Sequence, residues 1–247
     1  MAKPAPRVAI SWSAGKDSCL AWLRAGEQGL RVTTFVTMCE PGGTSKSHAL
    51  PPELIAAQVR AIGGEWWPVE AGPGAYAAVF DATLRRLVET GHTHLVFGDI
   101  DLQAHRDWLE PACARAGLTA AFPLWGESRA SLAQEILARG IRARLVCVDT
   151  RWLDASYCGA DYDAALLARL PAGVCPCGED GEFHTFVFDA PGFAQPLAIT
   201  PGEQRRVRSV PPLSPTELVL QTPVLAVASP TDALPLRAIG ARTRTRP

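Results

Sequence analysis

Several groups of residues in this chain have types and spacings that suit chemistry. The first is the run Ser11-Trp12-Ser13-Ala14-Gly15-Lys16-Asp17-Ser18. Hydroxyls, small residues, one cation and one carboxylate stand there between an apolar run and a helical pattern. A turn of this kind presents backbone N–H groups at a helix start, where the helix dipole favours an anion. The best-known phosphate loop, G-x-x-x-x-G-K-[ST], does not fit. Its first Gly would fall on Ile10, and Asp17 would stand where the magnesium-binding hydroxyl belongs. Phosphate binding is therefore expected, and kinase or GTPase chemistry is not. An ordinary helix cap at Asp17 or Ser18 is the structural alternative.

Gly98-Asp99 ends an apolar run. Asp99 suits a magnesium ion or a substrate amine, or else a helix cap or Asx-turn. Arg106 and Glu110 lie four apart in a helical stretch, the spacing of a simple ion pair. Glu179 and Glu182 lie three apart in a Gly-flanked loop. Two such carboxylates can bind ammonium, orient an amine or carry Mg²⁺; the alternative is a solvated acidic turn. His184 alternates with Phe183 and Phe186, as a catalytic or a structural histidine would. His48, in SKSHAL, is placed to approach nucleotide or substrate. Cys175 and Cys177 make a weak zinc signal, with no second pair. Trp66, Trp67 and Trp125 read as core or pocket wall.

The elements that must position these residues alternate. RVAISW, RVTTFVTMC, EWWPVEA and THLVFGDI read as strands, and the stretches between them as amphipathic helices. Pro111 is expected to kink or divide its helix, and IRARLVCVDT to add a further strand. This pattern predicts an α/β fold with an open, doubly wound parallel sheet. In such sheets ligands sit beyond the carboxyl ends of the strands, where Ser13–Ser18 and Gly98-Asp99 both fall. Three regions are expected: a nucleotide-binding domain over 1–150, a smaller substrate-binding region over 151–200, and a tail over 201–247. The Arg-rich run 237–246 closes that tail.

The 247 residues carry a formal net charge of −1 and are 47% hydrophobic, which supports a sizeable core and no broad nucleic-acid footprint. No export signal or membrane-spanning run is evident, and seven cysteines at irregular spacing read as reduced thiols. A cytoplasmic, soluble protein is expected, with homo-oligomerisation left open.

SAGKDS resembles the pyrophosphate loop, S-G-G-x-D-S, of the adenine nucleotide alpha hydrolase superfamily, with Ala14 in place of the first Gly. Further motifs resemble the diphthine–ammonia ligase and related ATP-binding family. They are Gly98-Asp99-Ile100, then Arg106, Glu110 and Cys113, then Pro123-Leu124-Trp125, and the run Cys177 to Phe183. They occur in the family's order within residues 7–196. GEFHTFV is closest to the bacterial branch, with His184 where the diphthamide enzymes usually have Glu. The resemblance implies ATP and Mg²⁺, adenylation of a carboxylate on a small molecule or protein side chain, and transfer of ammonia or an amine. It implies catalytic roles for Lys16, Asp17, Glu179 and Glu182. Nucleotide would be held by Ser11, Ser13, Ala14, Gly15, Lys16, Asp17, Ser18, Gly98 and Asp99, and metal by Asp17 and Asp99. The acceptor would meet His48, Arg106, Glu110, Trp125, Gly181 and His184. A tRNA-modifying adenylating enzyme and a nucleotide sensor without turnover are the alternatives.

Overall fold

A computed structural model describes residues 7–208 and 215–226; the Arg-rich run 237–246 lies outside them. Five parallel strands form the first sheet: β1 (Arg7–Ser11), β2 (Val32–Cys39), β3 (Glu65–Glu70), β4 (His92–Val96) and β5 (Thr119–Ala121). Their order is β3-β2-β1-β4-β5. The chain steps outward from β1 in one direction, then returns to add β4 and β5 on its other side. The crevice between β1 and β4 is the topological switch point, where ligands of such sheets bind.

Helices α1 (Lys16–Glu27), α2 (Pro52–Ile62), α3 (Tyr76–Glu89), α4 (Gln103–Ala116) and α5 (Arg129–Ala138) follow in turn. Alternation along β1 sends Val8 and Ile10 into one core with Leu20 of α1 and Leu54 of α2. It sends Ala9 into a second core with Phe80 and Leu84 of α3 and Leu109 of α4. Helices thus cover both faces, as doubly wound folds require. α2 begins at Pro52 and stops at Gly63, whose φ of 77° few other residues adopt without strain. Pro68 is tolerated because β3 is an edge strand.

Two expectations change. α4 runs through Pro111 undivided; Asp107, whose carbonyl loses its donor, lies with Pro111 on the exposed side. The strand expected over 141–150 forms as β6 (Arg142–Asp149) but leaves the parallel sheet. It is followed by a short 3₁₀ turn, α6 (Ala164–Arg169) and a long loop. β7 (Phe183–Asp189) then returns antiparallel to it.

The chain continues through β8 (Ile199–Thr200), β9 (Gln204–Arg208), β10 (Glu217–Gln221) and β11 (Val224–Leu225). The second sheet has the order β7-β6-β10-β9. Part of the expected tail therefore belongs to a sheet. Val219 and Leu220 are buried beside β6, and Thr150 N donates to Glu217 O. Among the described residues no helix is long and apolar enough to cross a membrane.

Candidate active site

The loop from β1 to α1 is braced from two directions. Gln58, fully buried on α2, accepts from Trp12 Nε1 at 2.7 Å and donates to Ala14 O at 3.1 Å and Val187 O at 2.6 Å. Strand β7 adds two bonds: Val187 N to Ala14 O at 3.0 Å, and Lys16 N to Thr185 Oγ1 at 3.1 Å. These partners hold Ala14 at φ 69°, a left-handed conformation that costs an L-residue about 1 kcal/mol or more. Ala14 is buried beneath the loop. Gly98, at the end of β4, presses on the start of α1; a Cβ there would stand 2.9 Å from Ser18 N. That contact explains the glycine without any unusual dihedral.

Above this junction lies a cavity of about 510 Å³. Ser11, Ser13, Lys16, Asp17 and Ser18 line it from the loop, and Gly98 and Asp99 from the end of β4. Of the other expected residues, His48, Glu179, Gly181 and His184 also line it, while Ala14 and Gly15 lie within the loop below. Gly15 lies directly under His48. Ser13 and Ser18 share a hydroxyl–hydroxyl bond of 3.1 Å, and Ser18 Oγ donates to Gly15 O at 2.9 Å.

Lys16 is only 2% exposed. Its ammonium donates to Asp17 Oδ2 at 2.8 Å and to the Cys177 carbonyl. Burial works most strongly against its charge, but Asp17, Cys177 and Glu179 together outweigh it and raise its pKa. The expected phosphate cation is thus committed to pinning the loop of Cys177 onto α1. Asp17 Oδ1 is buried and has no hydrogen-bond partner among the described residues. A hard anionic oxygen left open on a cavity wall fits a magnesium ion or a water. Asp99 accepts from His105 Nδ1 at 2.9 Å, and this bond raises the pKa of that histidine.

The imidazoles of His48 and His184 stack with centroids 4.8 Å apart. Burial, then His184 and Lys16, push His48 well below its usual pKa; burial and Lys16 hold His184 at about 4. Both are neutral at pH 7, and His48 Nδ1 is buried with no hydrogen-bond partner among the described residues. Glu179 moves the other way. Burial, with Asp17 nearby, raises its pKa to about 8. The loop therefore offers a carboxyl group that exchanges its proton near physiological pH.

Four expected site residues lie elsewhere. Glu182 is 0% exposed and accepts from Cys175 N at 2.7 Å and Asp180 N at 2.9 Å. Both its oxygens close the loop, so it does not serve as a cavity acid. Cys175, Asp180 and Glu182 cluster within 4.8 Å, but backbone amides and Arg129 already occupy the two carboxylates. Arg106 and Glu110 form an i,i+4 ion pair on α4 at 3.3 Å. The Arg106 guanidinium lies 4.8 Å over the Trp125 ring, and this group stands outside the cavity. The helical spacing that suggested a site is fully used by that local pairing.

Other residues of the site escaped the sequence reading. Gln58 and Thr185 shape the loop. Tyr76 and Phe80 of α3 and Trp108 of α4 form an aromatic lip on the cavity, with Phe80 and Trp108 centroids 4.9 Å apart. The exposure of Tyr76 and Trp108 is a feature that periodicity alone does not report.

Fold and site together define a doubly wound α/β protein whose cavity opens at the switch point of its sheet, over the loop from β1 to α1. The chain belongs to the diphthamide synthase family. The model of the family's N-terminal domain matches residues 6–120, and that of its C-terminal domain residues 128–209. The diphthine–ammonia ligase of Rattus norvegicus is 24% identical over 229 residues, covering 80% of this chain and 84% of the relative. That of Schizosaccharomyces pombe is 29% identical over 102 residues, 40% of this chain; the match spans only 17% of that longer relative. Among solved structures, a predicted subunit of tRNA methyltransferase from Methanocaldococcus jannaschii aligns with a TM-score of 0.43 at 17% identity. That alignment covers 75% of this chain and 98% of that one. The U34-tRNA thiolase NcsA of Methanococcus maripaludis, with its [4Fe-4S] cluster, aligns with a TM-score of 0.35 at 16% identity, covering 55% and 57%.

Proposed function

We propose that this chain is an ATP-dependent, amide-forming ligase like its diphthine–ammonia ligase relatives. The observation that carries this is the buried Asp17 Oδ1 at the start of α1, which has no hydrogen-bond partner among the described residues. A phosphoryl-transfer loop places a hydroxyl there. A carboxylate beside a helix N-terminus suits a magnesium-bound pyrophosphate as leaving group.

In this reading the β- and γ-phosphates lie over the first turn of α1, facing its remaining amides, with the Ser18 hydroxyl turning from Gly15 O to meet them. Asp17 and Asp99 would hold a magnesium ion, which would supply neutralising charge to the polyphosphate. An oxygen of the acceptor carboxylate attacks the α-phosphorus. The bond to the bridging oxygen breaks, and pyrophosphate leaves with its electron pair. Ammonia then attacks the acyl carbon and AMP departs with the electrons of the acyl–oxygen bond. The proton released from nitrogen passes to Glu179, whose raised pKa suits the transfer. The neutral pair His48 and His184 faces the same cavity and accepts N–H bonds from the incoming amine without opposing it by charge. The acceptor is a carboxylate on a small molecule or a protein side chain, diphthine being the one its relatives are named for.

The test follows nucleotide products. With ATP, Mg²⁺, ammonium and a panel of carboxylates, AMP and pyrophosphate are expected; ADP and phosphate would overturn the reading. Asp17→Asn is expected to cut AMP formation by about a hundredfold, as for loss of a major electrostatic group. ATP binding with no pyrophosphate release from any acceptor would favour a nucleotide sensor.

A further inference from the structure

Arg129, the first residue of α5, belongs to none of the motifs above. Its guanidinium grips Asp101 with both arms: Nε to Oδ2 at 2.7 Å and Nη2 to Oδ1 at 2.9 Å. Nη1 reaches Asp180 Oδ2 at 2.9 Å. The Arg129 carbonyl accepts from Cys177 Sγ at 3.1 Å. Asp101 lies two residues beyond Asp99, on one wall of the cavity. Asp180 follows Glu179, on the other. One side chain therefore fastens both loops that carry cavity carboxylates.

We propose that Arg129 is a positioning residue that clamps the Asp99 loop to the Glu179 loop and so fixes the geometry of the amine-transfer step. The proposal rests on the ligase reading above. The planar fork is what allows this: two parallel bonds to one carboxylate and a third to another fix both angle and distance. A lysine supplies the charge but not the fork. An isolated surface ion pair, by contrast, would contribute little to anything. The guanidinium here is 30% exposed and three of its donors are used.

The full chain, Arg129→Ala and Arg129→Lys are compared by amide hydrogen exchange, calorimetry with inorganic pyrophosphate, and AMP release with the carboxylate panel. Arg129→Ala is expected to speed exchange about tenfold in both 99–103 and 175–181, leaving 13–18 unchanged. Pyrophosphate affinity, measured without added Mg²⁺ so that only the α1 loop is probed, should stay within about twofold, while AMP release falls about tenfold or more, as when a catalytic group is misplaced. Arg129→Lys should recover part of that loss. Faster exchange in only one loop, or in neither, overturns the clamp. So does wild-type AMP release by Arg129→Ala, or a parallel loss of pyrophosphate binding. Should Arg129→Ala fail to fold, Asp180→Asn cuts one arm and must loosen 175–181 alone. If the wild-type chain binds pyrophosphate yet releases no AMP, the ligase reading fails, and the exchange data still decide the clamp.

Discussion

The imidazole of His48 covers Gly15 so closely that a Cβ built on that glycine would stand 2.5 Å from His48 Cε1. It would also lie 3.3 Å from the Thr185 carbonyl oxygen. Gly15 has φ −91° and ψ 174°, an extended conformation open to any residue. Its lack of a side chain therefore serves close approach. The β1–α1 loop, the β2–α2 connection and strand β7 meet at this one point.

Gly15→Ala must push either the histidine or the loop aside. Overpacking of this kind costs about 1–3 kcal/mol. We expect a loss of that size in urea unfolding, and at least about tenfold weaker pyrophosphate binding by calorimetry. Unaltered affinity would show that the loop is not the anion site.

The neutral histidine stack links stability to pH. The His184 pKa is held at about 4, from an ordinary 6.5. Between these values the unfolded chain binds a proton that the folded chain refuses, so stability falls as pH drops from 6.5 towards 4. The contribution is on the order of 3 kcal/mol at full effect. His184→Gln should flatten the fall in melting temperature between pH 6.5 and 4.5. A slope unchanged by that substitution would refute the assignment.

The parallel sheet, the loop after β1 and the placement of Gly98-Asp99 were legible because periodicity finds strands and helices, and doubly wound sheets put ligands at strand ends. Those signals are local. Gln58 was not legible: a glutamine on an amphipathic helix ordinarily faces water. Its partners Ala14 and Val187 lie 44 and 129 residues away. Glu182 carried the right residue type in the right loop, yet the fold spends both its oxygens on backbone amides. The departure at Ala14 was visible, but its φ of 69° was not, since dihedrals follow from the bracing by β7. β6 was legible as a strand; its sheet was not, because partner choice depends on β7 and β10, far along the chain.

Gln58 is the most consequential of these. Gln58→Leu preserves volume but strips one acceptor from Trp12 Nε1 and two amide donors from the carbonyls of Ala14 and Val187. Ala14 O keeps its bond from Val187 N, but each of the other groups left buried without a partner or a water costs about 1–3 kcal/mol. We expect a total loss of about 3 kcal/mol in chemical denaturation, with faster amide exchange across residues 12–18. A variant as stable as the parent would mean that the bracing comes from β7 alone.

Glu179 and Glu182 sit three residues apart in one loop and should respond oppositely to the same substitution. The folded-state pKa of Glu179 is about 8 against an ordinary 4.5. Between those values the folded chain keeps a proton that the unfolded chain has released, so this group lowers stability progressively as pH rises through the window. Glu179→Gln removes the penalty. Its melting temperature should match the wild type near pH 5 and exceed it increasingly towards pH 8. AMP release should lose its ionisation near pH 8 and fall in rate, because the proton acceptor is gone. Glu182→Gln instead turns an amide NH₂ towards a backbone N–H that a carboxylate oxygen had satisfied. That costs about 1–3 kcal/mol and should lower the melting temperature at pH 5 and pH 8 alike. Thermal unfolding of both variants across this range separates the two roles. If Glu182→Gln showed the pH-dependent gain and Glu179→Gln the uniform loss, the assignment of proton carrier and loop staple would be reversed.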